Sequence, residues 1–183
     1  MSAIATLEMA EFRDRPLTFE DCYQRHRNDV YRWGLRYGGG RKGWAEDLTH
    51  DVFVKLLEHF QRLADVDDLG GWLYTITARL AISRIRREQS WFGKLHRAAP
   101  EHQHELGADD LLERHEAASA AVAVMRTLPA QERVVLYMKL LDGASQKRIA
   151  EALSISEGYV SKLLARAWAR IRVAGWEGDD VDA

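Results

Sequence analysis

The stretch SQKRIAEALSISEGYVSKLLARAWARIR, residues 145–172, decides the fold of the chain's second half. Its apolar residues recur at helical spacing and predict a short helix followed by a longer helix with a wide apolar stripe. A tight turn at Ser154-Ile155-Ser156 separates them, with Ser156 as the predicted N-cap of the second helix. This order indicates a helix-turn-helix, whose second helix can lie in the major groove of duplex DNA.

The polar edge of that second helix carries the candidate DNA contacts. Opposite the apolar stripe lie Ser161, Lys162, Arg166 and Arg170. Such an edge suits contacts with base edges and phosphates. The alternative is a pair of antiparallel helices that only packs a core.

Composition predicts an all-α protein of one domain or two small ones. The chain has 183 residues, 46% of them hydrophobic, and only three prolines. Its single cysteine, Cys22, excludes an intramolecular disulfide and fits a reducing cytosol. The charged N-terminal stretch does not read as a signal peptide, and no apolar run is as long as a membrane span. We therefore expect a cytoplasmic protein without membrane insertion.

Charge is distributed in alternating zones, although the formal net charge is only −2. Residues 79–97 carry six basic and one acidic side chain, and residues 157–172 carry four and one. Residues 43–68 carry seven acids against two bases, and residues 99–121 carry six against one. The two basic zones predict two surfaces that bind nucleic acid. The acidic zones are predicted either to bind basic partners or to be ordinary solvated surface.

Helix signals and breaks divide the chain into two small helical domains. We expect an N-terminal tail over 1–16, a first domain over 17–90, a linker over 91–110, a second domain over 111–175 and an acidic tail over 176–183. Helices are predicted at about 18–37, 44–62, 69–88, 111–127 and 129–141, before the helix-turn-helix. The apolar positions of the second helix are Leu48, Val52, Phe53, Leu56, Leu57 and Phe60.

The third helix presents a candidate single-strand face. Its apolar side is predicted to be Leu69, Leu73, Ile76 and Leu80, and an adjacent side holds Trp72, Thr75, Arg79, Ser83 and Arg86. Bases can stack on an aromatic ring while cations follow the phosphates, so this side suits single-stranded DNA. The alternative is that Trp72 belongs to the core and the arginines form an ordinary solvated face.

No motif of the chain predicts catalysis. His96, His102, His104 and His115 lie in or near the loose linker without cysteine partners, so we predict no metal site. Neither a phosphate-binding loop nor a Ser-His-Asp pattern is present. We expect no enzyme activity, no cofactor and no small-molecule substrate.

Taken together, the motifs of both halves resemble bacterial RNA polymerase sigma factors of the extracytoplasmic-function (ECF) group, which have only regions 2 and 4. The resemblance covers nearly everything from Leu17 to Arg172. It is carried by DLTHDVFVKL (47–56), GWLY (71–74) with IRR (85–87), LPAQER (128–133), IAEAL (149–153) and SEGYV (156–160). Arg79 and Ser83 stand where the family often has Asn and Asp.

The resemblance implies binding to core RNA polymerase and to promoter DNA, with control by an anti-sigma factor. Core polymerase would contact the acidic strip of the second helix, at Asp47, His50, Asp51, Lys55 and Glu58. The minus-10 strand would contact Trp72, Thr75, Arg79, Ser83 and Arg86. The minus-35 duplex would contact Ser156, Glu157, Tyr159, Ser161, Lys162 and Arg166.

Two other functions stay open at this point. One is a stand-alone helix-turn-helix regulator, which would bind duplex DNA as a dimer at half-sites about one helical turn apart. The other is a helical enzyme with a metal in the linker.

Overall fold

In the computed structural model, residues 18–63, 68–95 and 122–173 are described, and all regular structure within them is helical. The all-α fold is thus confirmed. The helices, with residues 122–127 as a further helical segment, are α1 (Phe19–Gly38), α2 (Lys42–Leu63), α3 (Leu69–Leu95), α4 (Ala130–Leu140), α5 (Gln146–Leu153) and α6 (Glu157–Val173).

Local capping signals set the ends of α1. The Thr18 hydroxyl accepts a hydrogen bond from the backbone N–H of Asp21 at 3.2 Å, and the Asp21 carboxylate accepts one from the N–H of Thr18. Gly39 takes the left-handed conformation, with φ of 65°, and ends the helix. Both predicted ends are confirmed to within one residue. Leu17, the apolar residue before Thr18, lies outside the described residues.

Two helices extend beyond their predicted bounds. α2 begins at Lys42 rather than near Trp44, and the N–H of Ala45 donates to the carbonyl of Arg41. α3 continues to Leu95 instead of ending near Glu88, so it enters the predicted linker. Only Gly93 interrupts the helix-forming residues of this extension, and one glycine costs about 1 kcal/mol, which a long helix tolerates.

The buried face of α3 differs from the predicted one. Leu69, Ile76 and Leu80 are only partly buried. The buried side chains are Leu73, Tyr74, Thr77, Ala78, Ala81, Ile82 and Ile85. Thr77 can be fully buried because its hydroxyl donates to the carbonyl of Leu73 at 2.7 Å, which satisfies it inside its own helix.

One apolar position of α2 lies outside its buried stripe. Leu57 is 61% exposed, whereas Leu48, Val52, Phe53 and Leu56 are buried. Leu57 follows Leu56 by about 100° around the helix, which turns it away from the buried stripe. Phe60, the remaining predicted position, is half-buried and meets the ring of Phe19 edge-on.

The helix α4 is the centre of the molecule. All seven side chains from Glu132 to Met138 are buried, so the helix is covered on all its sides. It contacts α1, α3, α5 and α6. The buried residues of both halves form one continuous cluster. The halves of the chain, which the sequence predicts as two domains, therefore pack directly against each other.

Candidate nucleic-acid interface

The helix-turn-helix is built as predicted. The hydroxyl of Ser145 caps α5 by accepting from the N–H of Arg148 at 3.2 Å. Ser154 ends α5 in the left-handed conformation, with φ of 54° and ψ of 49°. The hydroxyl of Ser156 accepts from the N–H of Tyr159 at 3.2 Å, which confirms it as the cap of α6.

Most of the predicted duplex contacts lie on the surface of α6. Ser156, Glu157, Ser161, Lys162 and Arg166 are exposed, and Tyr159 is half-buried against the core. The Ser161 hydroxyl donates to Oε1 of Gln146 at 2.6 Å, which joins α6 to α5. Within the described part of the chain, neither Lys162 nor Arg166 is paired with an acid, so both cations can contact phosphate.

Arg170 differs from its two neighbours on this edge. Its Nε lies 3.0 Å from Oε2 of Glu132, whose side chain is buried at the start of α4. The apolar stripe of α6 is buried as expected, at Val160, Leu163, Leu164, Ala167 and Ile171. Arg170, although its side chain is 59% exposed, therefore connects α6 to α4, and Lys162 and Arg166 are the cations of this edge that are not paired with an acid in the described part of the chain.

The five predicted single-strand residues lie along α3 in different surroundings. Trp72 is half-buried, with its ring edge-on to His59 at 6.4 Å between centroids. Ser83 and Arg86 are exposed. Arg79 is also exposed, but its Nε donates to the carbonyl of Ala152 and its Nη2 to Oγ of Ser154, both at 2.8 Å.

Thr75 is the remaining residue that is predicted to contact single-stranded DNA. It lines a groove of about 470 Å³ between α3 and α5. Tyr74 contributes to the α3 wall, and Ser145, Arg148 and Glu151 contribute to the α5 wall. The guanidinium of Arg148 lies 5.5 Å from the centroid of the Tyr74 ring, in cation–π geometry. The helix-turn-helix half thus covers part of the α3 face.

The acidic strip of α2 is partly paired within the molecule. Nη2 of Arg84 lies 2.5 Å from Oδ2 of Asp47, and its Nη1 lies 3.4 Å from Oδ2 of Asp51. Nζ of Lys55 lies 2.7 Å from Oε2 of Glu58, and His50 is exposed. The five predicted polymerase-binding residues therefore share one surface of α2.

Two apolar side chains on α2 were not among the predicted polymerase contacts. Leu57 is 61% exposed and Val54 is 40% exposed. Apolar spacing groups Leu57 with the buried stripe, so reasoning from spacing alone misses an exposed leucine beside acidic residues. Together with the acidic strip, Leu57 and Val54 form a mixed surface of the kind that protein partners bind.

Trp44 fixes the position of Arg84. The guanidinium groups of Arg41 and Arg84 both lie over its ring, each 5.5 Å from the ring centroid. The indole Nε1 donates to Oε1 of Glu88 at 2.6 Å, and Nη2 of Arg41 lies 2.9 Å from the other oxygen of the same carboxylate. The sequence pattern alone indicates no role for this group.

Asp142, after the end of α4, accepts donors from two helices of the other half. The hydroxyls of Tyr74 and Tyr37 donate to its Oδ2 at 2.9 and 3.3 Å, and Arg36 pairs with its Oδ1. Only 8% of the Asp142 side chain is exposed. Burial raises the pKa of both tyrosines, and the nearby Asp142 charge adds to this, so the hydroxyls remain protonated donors.

Further hydrogen bonds cross between the halves. Nη2 of the buried Arg133 donates to the carbonyl of Tyr37 at 2.6 Å. Burial lowers the pKa of Arg133 to about 10, which leaves it charged at neutral pH. Gln89 donates to the carbonyl of Leu128 at 2.9 Å, and Arg126 donates to the carbonyl of Gly39.

Metal-binding and membrane-spanning features are both absent from the part of the chain that the structure describes. Among those residues, no group of three His, Cys, Asp or Glu side chains could hold a metal ion. His96, His102, His104 and His115 lie outside the described residues. None of the helices in the described ranges is long and apolar enough to cross a membrane.

Comparison with known proteins matches both halves to parts of one family. Residues 22–91 match the model of Sigma-70 region 2, and residues 119–171 match that of Sigma-70, region 4. Among curated relatives, the ECF RNA polymerase sigma factor SigX of Bacillus subtilis is 24% identical over 148 residues, which cover 78% of this chain and 76% of SigX.

Two further relatives are longer than this chain. BldN of Streptomyces coelicolor, also an ECF RNA polymerase sigma factor, is 31% identical over 155 residues, which cover 81% of this chain and 57% of BldN. SigE of Mycolicibacterium smegmatis, of the same description, is 24% identical over 161 residues, which cover 85% of this chain and 60% of SigE. The chain thus spans less than two thirds of the length of these two relatives.

Among solved structures, the sigma factor RpoE of Bartonella quintana, crystallised with the anti-sigma factor NepR, has a similar fold. The TM-score is 0.59 at 18% identity, and the match covers 90% of this chain and 98% of the RpoE chain. At that identity the likeness speaks for the fold alone.

Proposed function

The chain belongs to the sigma-70 family, as a sigma factor of the ECF group with regions 2 and 4, and on this basis we propose that it binds core RNA polymerase and directs it to promoters. The observation that carries the proposal is the exposed, unpaired basic edge of α6, on a helix-turn-helix joined to a region 2 whose α3 carries a second basic face. One chain thereby holds separate faces for paired and unpaired DNA.

In this proposal, α6 reads the minus-35 duplex in the major groove. Lys162 and Arg166 contact phosphates or base edges, with Ser156, Glu157, Tyr159 and Ser161 beside them on or near the first turns of the helix. Phosphate contacts fix the register, and contacts to base edges supply the sequence preference.

The α3 face captures the minus-10 strand. Bases stack against the half-buried ring of Trp72, while Arg79 and Arg86 contact phosphates and Thr75 and Ser83 supply hydroxyls. Extruding a base costs a few kcal/mol of stacking and pairing. Contacts that form only with the extruded strand offset this cost, so melting follows from differential binding and needs no catalytic group in this chain.

Core polymerase binds the α2 surface. Asp47, Asp51 and Glu58 give it an acidic character that steers a basic partner, together with His50 and Lys55. The exposed Leu57 supplies an apolar anchor, and its burial by the partner adds hydrophobic binding energy. Catalysis of RNA synthesis is left to the polymerase, in the cytoplasm, and this chain requires no cofactor.

An anti-sigma factor is the proposed negative regulator. The RpoE structure with a similar fold holds such a partner, NepR. In our proposal an anti-sigma factor of this chain competes with polymerase for the α2 surface. The alternative of a stand-alone regulator leaves the region 2 match, over residues 22–91, without a role.

The proposal is tested by mixing the purified chain with core RNA polymerase. We expect co-elution at micromolar concentration and promoter-directed transcripts in vitro. Leu57→Asp should abolish co-elution because it places a charge in the anchor position, whereas Val173→Asp, at a position 90% exposed at the end of α6, should not. Absence of co-elution by the unaltered chain rejects the proposal, and tight binding of the free chain to a two-fold DNA site favours the regulator.

A further inference from the structure

Two aspartates of the α2 surface share one cation that comes from α3. Asp47 and Asp51 lie four residues apart, so their carboxylates project from the same side of α2, and like charges at this spacing repel each other. Nη2 of Arg84 lies 2.5 Å from Oδ2 of Asp47, and its Nη1 lies 3.4 Å from Oδ2 of Asp51. The guanidinium therefore offsets this repulsion and holds the two carboxylates side by side.

The pairing with Arg84 uses only one oxygen of each carboxylate. Both contacts involve Oδ2, and within the described residues Oδ1 of neither Asp47 nor Asp51 has a hydrogen bond or an ion pair. The side chains of Asp47 and Asp51 are 65% and 47% exposed, whereas that of Arg84 is 22% exposed. The cation thus supports the carboxylates from the protein side, and each carboxylate keeps one oxygen that can accept a donor from a binding protein.

The cation is itself held by a buried ring. The guanidinium of Arg84 lies over Trp44, 5.5 Å from the ring centroid, in cation–π geometry, and Trp44 is buried. The indole Nε1 donates to Oε1 of Glu88 at 2.6 Å, which restrains the ring. Because a free arginine side chain loses rotamer freedom when it pairs, the contact with Trp44 lowers the entropy cost of holding the two aspartates.

We propose that Arg84 is a positioning residue for polymerase binding: from α3 it holds Asp47 and Asp51 so that their free oxygens together accept the donors of a basic side chain of core RNA polymerase. This inference rests on the proposed function, and it adds a residue of α3 that lies outside the predicted contacts. A planar guanidinium pairs best with acceptors in a fixed arrangement. Acceptors that are ordered before the encounter avoid the entropy cost of ordering them in the complex.

Net charge alone predicts the opposite effect of losing Arg84. Without this cation the α2 surface becomes more negative by one charge, which attracts a basic partner more strongly and speeds association. Without its support, however, the two carboxylates repel each other and separate, so the complex loses its paired acceptors and dissociates faster. The direction of the change in affinity therefore distinguishes a positioning cation from one that only neutralises the surface.

The test measures the rates at which the purified chain binds to and leaves immobilised core RNA polymerase, by biolayer interferometry. Arg84→Met should raise the dissociation rate constant about tenfold, while the association rate constant stays equal or rises. Arg84→Lys keeps the charge but lacks the planar fork that reaches two carboxylates, so it should also dissociate faster. The matched control Arg32→Met removes an equal charge, which pairs with Asp29 within α1, and should leave dissociation unchanged.

A double-mutant cycle separates positioning from a general structural role. In a chain that carries Asp47→Asn and Asp51→Asn, Arg84→Met should have no further effect on dissociation, because the side chains through which it acts have lost their charge. A loss of stability would act in both backgrounds. Urea unfolding of the unaltered chain and of the variants measures that loss separately.

Three results would overturn the inference. The first is polymerase binding by Arg84→Met that is as tight as that of the unaltered chain, or tighter. The second is a dissociation rate of Arg84→Lys equal to that of the unaltered chain, and the third is an effect of Arg84→Met that persists in the doubly substituted background. All three leave the proposed function intact, since they require that the unaltered chain binds polymerase. Absence of binding by the unaltered chain instead rejects the proposed function, and this inference with it.

Discussion

Ser154 and Arg79, 75 residues apart in the chain, are joined by a hydrogen bond in which Nη2 of the arginine donates to Oγ of the serine at 2.8 Å. Among the described residues, Ser154 is also the non-glycine residue with positive φ, at 54°. A serine in this conformation carries a backbone cost that glycine avoids. One side chain thus contributes both to the turn of the helix-turn-helix and to the contact between the halves.

Replacement of Ser154 separates these contributions. Ser154→Ala should lower the free energy of unfolding by about 1–2 kcal/mol, because it loses the hydrogen bond and keeps the backbone cost. Ser154→Gly should leave it nearly unchanged, since relief of the backbone offsets the missing bond. Urea denaturation of both variants measures the difference. Equal losses of unfolding free energy in the alanine and glycine variants would contradict the backbone cost assigned to Ser154. Arg79→Met removes the donor, so it should remove the contribution of the hydrogen bond to the free energy of unfolding.

The basic edge of α6 predicts a specific salt dependence. The double variant Lys162→Ala with Arg166→Ala removes both cations. The logarithm of DNA affinity should then fall less steeply with the logarithm of salt concentration, by about 1 in the magnitude of the slope for each phosphate that is no longer neutralised. Use of the minus-35 element should fall, while binding to polymerase persists. Arg172→Ala removes one positive charge from another side of the same helix and should leave the slope unchanged.

A pair of glycines at the junction of α1 and α2 should respond in opposite directions. A Cβ at Gly38 would lie 2.6 Å from Cε3 of Trp44, whose ring is held by Arg41, Arg84 and Glu88. Gly38→Ala should therefore destabilise the protein by about 1–3 kcal/mol. Gly43→Ala, in α2 with no neighbour within 4 Å, should stabilise it by up to about 1 kcal/mol. Thermal and urea unfolding check both signs.

His26 should make stability depend on pH. Burial lowers its pKa below the ordinary 6.5, and Arg25 lowers it further, whereas Asp29 and Asp68 oppose the shift. Between the lowered value and 6.5, the unfolded chain binds more protons than the folded one. The free energy of unfolding should therefore rise with pH through this window and reach its full value above it. In His26→Gln this part of the dependence should disappear, and an unchanged pH profile would contradict the assignment.

The capped helix starts at Thr18 and Ser156 were predictable because their determinants are local. Thr18 and Asp21 lie three residues apart, and Ser156 caps the N–H three residues later. The exposure of Lys162 and Arg166 followed from helical spacing alone. The exposure of Leu57 shows the limit of this reasoning, because spacing identifies an apolar stripe but does not fix how wide its buried part is.

The contacts between the halves could not be read from the sequence. Tyr74, Tyr37 and Arg36 lie 68, 105 and 106 residues from Asp142. No short pattern announces such a group, and Asp142 next to Gly143 reads only as a helix end. The bonds of Arg79 were unpredictable for the same reason, since an exposed arginine on a basic helix has the same sequence signature whether it contacts DNA or α5.

The pairing of Arg84 with Asp47 and Asp51 has a consequence for partner selectivity. Polyamines and loosely basic peptides meet carboxylates that already have a counter-charge, so they gain little by binding there. A partner that also covers Leu57 obtains apolar contact energy that such cations cannot. In the proposed function, we therefore expect the α2 surface to distinguish, by the apolar contact at Leu57, among positively charged ligands that charge alone would not separate.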